Sequence, residues 1–317
     1  MTTRQHLGRR AFVGGAVAAI GATAFATMPQ AATATPGFRR RHLGDVTLTA
    51  IYDGVWNRPI DATFVRNAPF AAVQRAMAEA SMPSADRLPV PFTALVVESG
   101  AKRVLIDTGT GGQIAPTAHA FTANLAAAGI DSKTIDIVLI SHFHPDHING
   151  LKTKDNARVF PNAEIKVPAA EWAFWMDDAN LRAAPPPAKI YFLNARRIFA
   201  DLAKDVTRFR DGEVAPGVTA IAAPGHTPGH TVFAVSSGRD TMLALSDTTN
   251  HPALFVRHPD WQPVFDMEGP RAVATRRRLL DRAAADRMLV QGYHFPFPAS
   301  GAIVRDGRGY AFVPQES

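Results

Sequence analysis

The amino-acid sequence predicts an α/β fold in which helices cover the β-sheets. Short apolar runs typical of strands alternate with helix-like segments from Val46 onward. The chain has 317 residues, of which 46% are hydrophobic, so it can bury a substantial core. It has no cysteine, and its stability must therefore come from that core or from bound metal rather than from disulfides.

Nine apolar runs predict strands, and they are Val46–Tyr52, Phe92–Val97, Val104–Ile106, Ile135–Ile140, Ala163–Val167, Val218–Ala222, Thr231–Val235, Met242–Leu245 and Met288–Val290. Helices are predicted at Ala71–Ala80, Ala118–Ala128, Ala169–Met176 and Arg271–Ala285. The proline-rich residues 54–91 outside their short helix, and Ala183–Ala188 with its three prolines, are predicted to be exposed connections that could border the active site.

The first 34 residues have the features of an export signal. Arg9 and Arg10 precede a run rich in Ala, Gly and Val at 11–26, and small residues follow at 32–34. This pattern is typical of a twin-arginine-type signal peptide with a small-residue cleavage site. The run is too weakly apolar for a stable membrane span. We therefore expect a periplasmic or secreted protein with the Tat export machinery as a partner.

The remaining residues, 35–317, are predicted to form a single domain. Without the three arginines of the leader, the 34 basic residues fall to 31, against 28 acidic residues. This near balance argues against nucleic acid as a partner. The arginine cluster at 39–41 is interpreted as a solvated tail. Whether the protein forms a homodimer is left open by the sequence.

The clearest chemical signal is the segment SHFHPDH at 141–147, directly after a predicted strand. Residues two apart at a strand end point the same way, so His142 and His144 can share one metal. A proline then favours the start of a helix, which would turn Asp146 and His147 toward a second, adjacent metal. Imidazole and carboxylate donors without cysteine suit hydrolytic rather than structural metal sites.

Three further candidate ligands, His226, Asp247 and His294, each follow a predicted strand. The carboxyl ends of strands are where α/β proteins assemble their sites. His226 is the preferred ligand over His230 because it comes first after its strand, and His230 is interpreted as a structural residue. Asp247 could be a turn residue, but a carboxylate can also bridge two cations, and we favour the bridging role.

These residues, in this order, resemble the metallo-β-lactamase-fold superfamily, whose signature His-x-His-x-Asp-His is complete at 142–147. The resemblance implies an αββα four-layer sandwich with two mixed β-sheets face to face. It also implies that one metal is held by His142, His144 and His226 and the other by Asp146, His147 and His294, with Asp247 shared.

The segments Phe174-Trp175, 294–298 and 309–314 resemble the exported methyl-parathion-hydrolase-like branch of that superfamily. The branch implies cleavage of ester, lactone or phosphotriester bonds in small apolar or aryl substrates. Two divalent cations, zinc above all but also manganese, iron or cobalt, would generate a bridging hydroxide as the nucleophile. Asp146 is the predicted catalytic residue, which would orient that nucleophile and move a proton.

The predicted substrate-binding residues are Trp175, Phe192, Asn250 and Phe295. Trp175 matches a pocket position of the branch, and aromatic walls favour apolar substrates. Asn250 stands where quorum-quenching lactonases of the superfamily commonly have tyrosine, which argues against specificity for acyl-homoserine lactones.

Other activities of the same fold remain alternatives. One is an iron-dependent redox enzyme of the persulfide dioxygenase type, and another is a thioester hydrolase of the glyoxalase II type. A flavodiiron reductase would have Glu in place of His144 and would need a flavin domain. A non-catalytic binding protein is disfavoured by the full ligand set. The number and identity of bound metals would separate the hydrolytic from the redox reading.

Overall fold

Two seven-stranded β-sheets lie at the centre of the fold. A computed structural model describes residues 36–315. The signal-peptide prediction for residues 1–34 therefore lies outside the described residues. The strands of the first sheet are β1 (Phe38–Leu43), β2 (Val46–Pro59), β3 (Arg87–Ser99), β4 (Lys102–Ile106), β5 (Ile137–Leu139), β6 (Glu164–Pro168) and β7 (Val206–Phe209), and they neighbour one another in that order.

The second sheet repeats this plan in the later half of the chain. Its strands are β8 (Gly212–Ala215), β9 (Val218–Ala222), β10 (Thr231–Ser237), β11 (Asp240–Ser246), β12 (Leu289–Gly292), β13 (Ser300–Asp306) and β14 (Gly309–Pro314), again in chain order. The pairs from β4 to β7 are parallel, as is the pair of β11 with β12, and the other pairs are antiparallel. Both sheets are therefore mixed.

The helices lie in the connections between strands. They are α1 (Phe70–Glu79), α2 (Phe121–Ala127), α3 (Pro145–Ile148), α4 (Ala169–Trp175), α5 (Asp178–Ala183), α6 (Pro186–Phe199), α7 (Pro252–Phe255) and α8 (Gly269–Ala285). Within residues 36–315, none of them has the length and apolar composition of a membrane-spanning segment.

Three buried clusters define the layers. Side chains such as Leu48 and Val97 of the first sheet pack against Phe233 of the second and form the central core. A second cluster covers the outer face of the first sheet with α1, α2 and α6. The third places Leu279 and Leu280 of α8 on the outer face of the second sheet. This is the αββα sandwich with two mixed sheets, and the predicted fold class is confirmed.

The interpretation of Arg39–Arg41 as a solvated tail was wrong. These arginines lie in β1, where Arg40 pairs with Thr49 of β2. Leu43 at the end of the strand is buried in the central core, Arg39 and Arg40 are exposed, and Arg41 is partly buried. Charged side chains on an edge strand hinder its pairing with other chains, so the cluster suits this position.

The triple proline was also misread, because α6 begins at Pro186 and not after the segment. Proline is well suited to the first helical position, where the missing N–H would have no partner within the helix. The helix then buries Phe192 and leaves the neighbouring Tyr191 39% exposed.

The prediction that residues 54–91 form surface connections was wrong at both ends. β2 continues to Pro59 and β3 already begins at Arg87, so a two-stranded extension projects from the first sheet. Pro89 and Pro91 are tolerated there because, among the described strands, this part of β3 pairs with β2 only and one backbone edge stays unpaired. The extension carries much of the pocket described below.

Candidate metal centre

The ends of four strands from both sheets meet at one edge of the sandwich. His142 follows β5, His226 follows β9, Asp247 follows β11 and His294 follows β12. The loop after β12 docks on the unpaired edge of β3, where His294 Nδ1 lies 2.8 Å from the carbonyl oxygen of Pro91. The open edge of the strand extension therefore helps to place a candidate ligand.

The structure brings all seven predicted ligands together in two adjacent groups. The first is His142, His144, His226 and Asp247, and the second is Asp146, His147, Asp247 and His294. In each group the potential ligand atoms all lie within 4.8 Å of one another. Asp247 belongs to both groups, which is the arrangement that a bridging carboxylate requires.

In the first group, imidazole nitrogens converge at close range. His144 Nδ1 lies 3.0 Å from His142 Nε2 and 2.9 Å from His226 Nε2. Asp247 Oδ2 is 3.3 Å from His226 Nε2. Three imidazole nitrogens whose lone pairs converge on one point repel each other unless a cation lies between them, so the geometry fits a metal.

The second group is richer in carboxylate. Asp247 Oδ1 lies 3.1 Å from His147 Nε2, and Asp247 Oδ2 lies 3.1 Å from His294 Nε2. Asp146 Oδ2 is 3.4 Å from His147 Nε2 and 3.5 Å from His294 Nε2. Two of these buried atoms, His147 Nε2 and Asp247 Oδ1, make no hydrogen bond among the described residues. Buried polar atoms are nearly always paired, and a cation would satisfy both.

Oxygen atoms behind the imidazoles orient them. His142 Nδ1 lies 3.0 Å from Ser141 Oγ. In the same way, His147 Nδ1 lies 2.8 Å from Asp107 Oδ2, and His226 Nδ1 lies 3.1 Å from Asp266 Oδ1. Proton donation from Nδ1 to these acceptors leaves the Nε2 lone pair facing the centre. Such outer partners set the tautomer and the ring orientation in metal sites.

Burial and neighbouring charge act differently on the histidines. Burial lowers the pKa of His142 well below its usual value and that of His144 to about 3, so both rings are neutral at pH 7. Burial also opposes protonation of His147, but the carboxylates of Asp247, Asp146 and Asp107 hold its pKa well above the usual value. The second group therefore attracts positive charge, and divalent cations would supply it.

Asp107 was not predicted. It follows β4 in a left-handed conformation, with φ at 60°, and accepts hydrogen bonds from the Ser141 N–H and hydroxyl as well as facing His147. The signal for it was the likeness of the strand ends Ile106-Asp107-Thr108 and Ser246-Asp247-Thr248. Both aspartates follow a strand that has a parallel neighbour, and both reach the candidate site.

Glu171 on α4 was also missed, and no sequence pattern marked it. Its buried carboxylate accepts hydrogen bonds from the backbone N–H groups of Phe143 (3.0 Å) and Gly229 (2.7 Å). It therefore joins the 141–147 segment to the loop that carries His226. Burial raises the pKa of Glu171, although these hydrogen bonds lower it.

Asp266 precedes α8, and its Oδ1 faces Nδ1 of His226, the ring nitrogen that points away from the other ligands. Its other oxygen accepts a hydrogen bond of 2.7 Å from Arg276, whose side chain is 1% exposed. Arg276 also donates to the carbonyl oxygens of Thr248 and Trp261. This buried ion pair ties the loop after β11, which carries Asp247, to α8.

His230 has the structural position that the sequence predicted. Its Nδ1 lies 3.0 Å from the carbonyl oxygen of Ala223, and its Nε2 accepts a hydrogen bond from the Asp247 N–H at 3.1 Å. Burial lowers the pKa of His230 to about 3, which keeps the ring neutral and able to accept. The residue therefore positions the backbone of Asp247.

An apolar cavity of about 190 Å³ opens above the two groups. It is lined by Trp56, Val90, Phe92, Ile114, His144, Pro145, Asp146, Tyr191, His226, Asp247, Asn250, Phe265 and His294. Of the four predicted substrate-binding residues, Asn250 lies in this lining.

Trp175, Phe192 and Phe295 are not in the lining, and their sequence assignment to the pocket needs correction. The indole N–H of Trp175 donates to Glu171 at 2.6 Å, and the ring packs against Phe192 in the core over the first sheet. Phe295 packs against Phe312 under α8. All three are buried behind the site because apolar packing, rather than substrate, takes up their surfaces.

Comparison with known proteins agrees with this architecture. The sequence profile of the family described as "Metallo-beta-lactamase superfamily" matches residues 89–292, which is more than half of the chain. The chain belongs to the metallo-beta-lactamase superfamily. The match spans most of β3 to β12 and therefore contains six of the seven candidate ligands, while His294 lies two residues beyond its end.

Among solved structures, the superfamily member is similar to AidC, a dizinc quorum-quenching lactonase crystallised with a product, at 25% identity and a TM-score of 0.83. That likeness covers 89% of this chain and 98% of AidC. The hydrolase AbOPH of the beta lactamase superfamily has the same fold, with 24% identity and a TM-score of 0.83 over 89% of this chain and 99% of the other.

Curated relatives match over shorter stretches. The ribonuclease Z of Agathobacter rectalis is 42% identical over 71 residues, which are 22% of this chain and 20% of that protein. A probable metallo-hydrolase of Mycobacterium tuberculosis is 28% identical over 187 residues, which are 50% of this chain and 56% of that protein. The chain thus spans between a fifth and about half of the length of these relatives.

Proposed function

We propose that this protein is a dinuclear metal hydrolase that cleaves ester, lactone or phosphotriester bonds in small apolar or aryl substrates. The observation that supports this most directly is the pair of ligand groups sharing Asp247 at the base of an apolar cavity. The likeness to AidC, a dizinc lactonase, supports the same class of reaction.

The donor atoms define how two cations would be held. His142, His144 and His226 would bind one, Asp146, His147 and His294 would bind the other, and Asp247 would contact both. When bound there, two divalent cations, zinc being the best match to imidazole and carboxylate donors, lower the pKa of a shared water and polarise the bond to be cleaved.

Asp146 is the residue that we propose to orient the attacking water and to move a proton. Its side chain is 18% exposed and lines the cavity, whereas the side chain of Asp247 is only 5% exposed. The hydroxyl of Tyr293 donates to the carbonyl oxygen of Asp146 at 2.5 Å, and the ring of Tyr293 lies 4.0 Å from that of His147. The backbone of Asp146 is therefore held while its carboxylate faces the substrate.

The apolar side chains that form the wall of the cavity indicate the class of substrate. Trp56, Val90, Phe92, Ile114 and Phe265 present apolar surface, and the lining among residues 36–315 includes no lysine or arginine. RNA binding depends on cations that neutralise several phosphates. The wall therefore favours a small apolar substrate over the RNA implied by the ribonuclease Z relative.

A hydrolysis screen with 4-nitrophenyl esters, lactones and aryl phosphotriesters tests the proposal, combined with metal analysis by mass spectrometry. We expect two equivalents of divalent metal per chain and turnover of at least one of the three classes. Asp146→Ala should abolish that turnover, while Asp240→Ala, a matched loss of an exposed carboxylate at the other end of β11, should not change it.

Other outcomes would contradict the proposal. Unchanged rates in Asp146→Ala would remove the assigned role of this carboxylate. A single equivalent of iron with oxygen consumption on a persulfide would identify the redox alternative, and turnover of thioesters alone would identify the glyoxalase II type.

We also propose that residues 1–34 direct export to the periplasm or the medium through the Tat machinery, on the strength of Arg9, Arg10 and the weakly apolar run behind them. Replacing both arginines by lysine should leave the full-length protein in the cytoplasm in a fractionation experiment. Undiminished export of that variant would contradict the route.

A further inference from the structure

Arg58 lies beside the apolar wall of the cavity and has no partner for its charge there. Its guanidinium carbon lies 4.8 Å from the ring centre of Phe265, 5.2 Å from that of Phe64 and 5.5 Å from that of Trp56. Phe265 and Trp56 both line the cavity. The cation is therefore packed against two residues of the cavity wall.

The hydrogen-bonding groups of Arg58 are largely unused. Nη1 donates to the adjacent carbonyl oxygen of Pro59 at 3.3 Å, and the buried Nε has no partner among the described residues. No carboxylate among residues 36–315 forms an ion pair with it within 4.0 Å. The nearby Asp61 instead accepts hydrogen bonds from the N–H and hydroxyl of Thr63.

A guanidinium that stacks its faces on aromatic rings keeps its edge N–H groups available. Those groups form a planar fork that matches a carboxylate or a phosphate. Because a half-buried cation without a partner is unfavourable, the arrangement around Arg58 fits an anion that arrives with a ligand.

The strand register shows where such an anion would lie. Trp56 pairs with Val90 and Arg58 with Leu88 across β2 and β3. At the other end of this wall, the ring of Phe92 lies 5.5 Å from that of His294. Since residues two apart on a strand share a face, Arg58 follows Trp56 along the wall, about 13 Å from Phe92 at roughly 3.3 Å per residue.

We propose that Arg58 binds an anionic group, a carboxylate in the first instance, at the distal end of the substrate. The inference rests on the proposed function, because it takes the cleaved bond to lie at the candidate ligands. It names a narrower substrate class: esters or lactones whose apolar chain runs along the wall from the candidate ligands and ends in a negative charge at Arg58, about 13 Å beyond Phe92, the span of four strand residues.

Matched 4-nitrophenyl esters test this proposal. One series has acyl chains ending in a carboxylate, and the other has the same chains ending in a methyl ester. In the wild-type enzyme, kcat/KM should favour the carboxylate series, and this preference should appear only once the chain is long enough to reach Arg58. Arg58→Gln should lower kcat/KM for the long carboxylate ester at least tenfold, or about 1.4 kcal/mol, through KM.

The controls separate charge recognition from wall packing. Arg58→Gln should change the rates of the methyl esters less than twofold, and Arg58→Lys should retain part of the preference. Arg87→Gln removes an exposed arginine that lies opposite Pro59 at the same end of the extension, and it should change neither series.

Three results would overturn the proposal. They are an absence of preference in the wild-type enzyme, an equal loss for both series in Arg58→Gln, and an equal effect of Arg87→Gln. Titration calorimetry with amide counterparts of both ester series, which are not cleaved, measures the preference for the carboxylate without turnover. If no ester, lactone or phosphotriester is hydrolysed, the proposed function fails, yet a carboxylate preference in amide binding that Arg58→Gln removes would still establish the anion subsite.

Discussion

The ligand cluster and the wall of the cavity above it are built in different ways. In the cluster, His142, His147 and His226 each have an oxygen atom behind the ring, so the direction of their Nε2 atoms is determined. The wall consists of side chains such as Trp56, Phe92 and Phe265, which contact one another mainly through apolar surface. The cluster should therefore determine the chemistry and tolerate little change, while the wall should determine the substrate and tolerate more.

The largest effect is expected at the shared carboxylate. Asp247→Ala removes the one side chain common to both groups and should lower the metal content below two equivalents per chain, measured by mass spectrometry. Activity should fall by far more than the roughly 100-fold that the loss of an outer hydrogen-bond partner costs. Asp240→Ala, on the same strand, should retain both metals. Full metal content in Asp247→Ala would show that the cluster is not organised around this residue.

The next effect concerns the support behind the cluster. Asp266→Ala leaves the buried guanidinium of Arg276 without its carboxylate and should lower the free energy of unfolding by about 3–5 kcal/mol. Urea denaturation of chelator-treated protein measures this loss separately from metal binding. Asp260→Ala, which removes an exposed partner of Arg277, should cost about 1 kcal/mol or less. Equal losses in the two variants would contradict a structural role for the buried pair.

The wall should respond through substrate binding alone. Trp56→Ala should raise KM for apolar aryl esters about tenfold, which corresponds to about 1.4 kcal/mol, with both metals retained. Trp261 stacks on His258 at 4.0 Å and does not line the cavity, so Trp261→Ala should leave KM unchanged. Loss of metal in Trp56→Ala would mean that the wall also helps to hold the ligand cluster in place.

The smallest effect is expected where the two regions meet. Asn250 lies in the lining only three residues after Asp247. Asn250→Ala should lower kcat/KM about fivefold, as expected for the loss of one hydrogen bond worth about 1 kcal/mol, and should keep the metal content at two per chain. A change in metal content instead would place Asn250 with the cluster.

The fold and the cluster were more accessible from the sequence than the wall. Alternating strand and helix patterns predicted sheets covered by helices, and the resemblance to the superfamily implied the four layers. The motif at 142–147 predicted most of the candidate ligands. Trp175 was misplaced because an aromatic residue beside a metal-bearing loop is equally suited to a core, and its indole N–H proved to be committed to Glu171. Trp56 was overlooked because prolines around it concealed the extension of β2 and β3.

The sequence by itself determined the directions of side chains within a short segment. His142 and His144 project together because they lie two apart, and Asp146 and His147 turn away because a proline starts α3 between the pairs. Such relations depend on local backbone geometry and not on contacts between distant segments of the chain.

Only the tertiary structure decided which remote residues complete the site. Asp107 and Asp266 reach it from the end of β4 and from the segment before α8, and Trp56 reaches its wall from the extension of β2. Each has its place because of strand register and layer packing. Those contacts depend on the free energy of the whole core, which no single segment encodes.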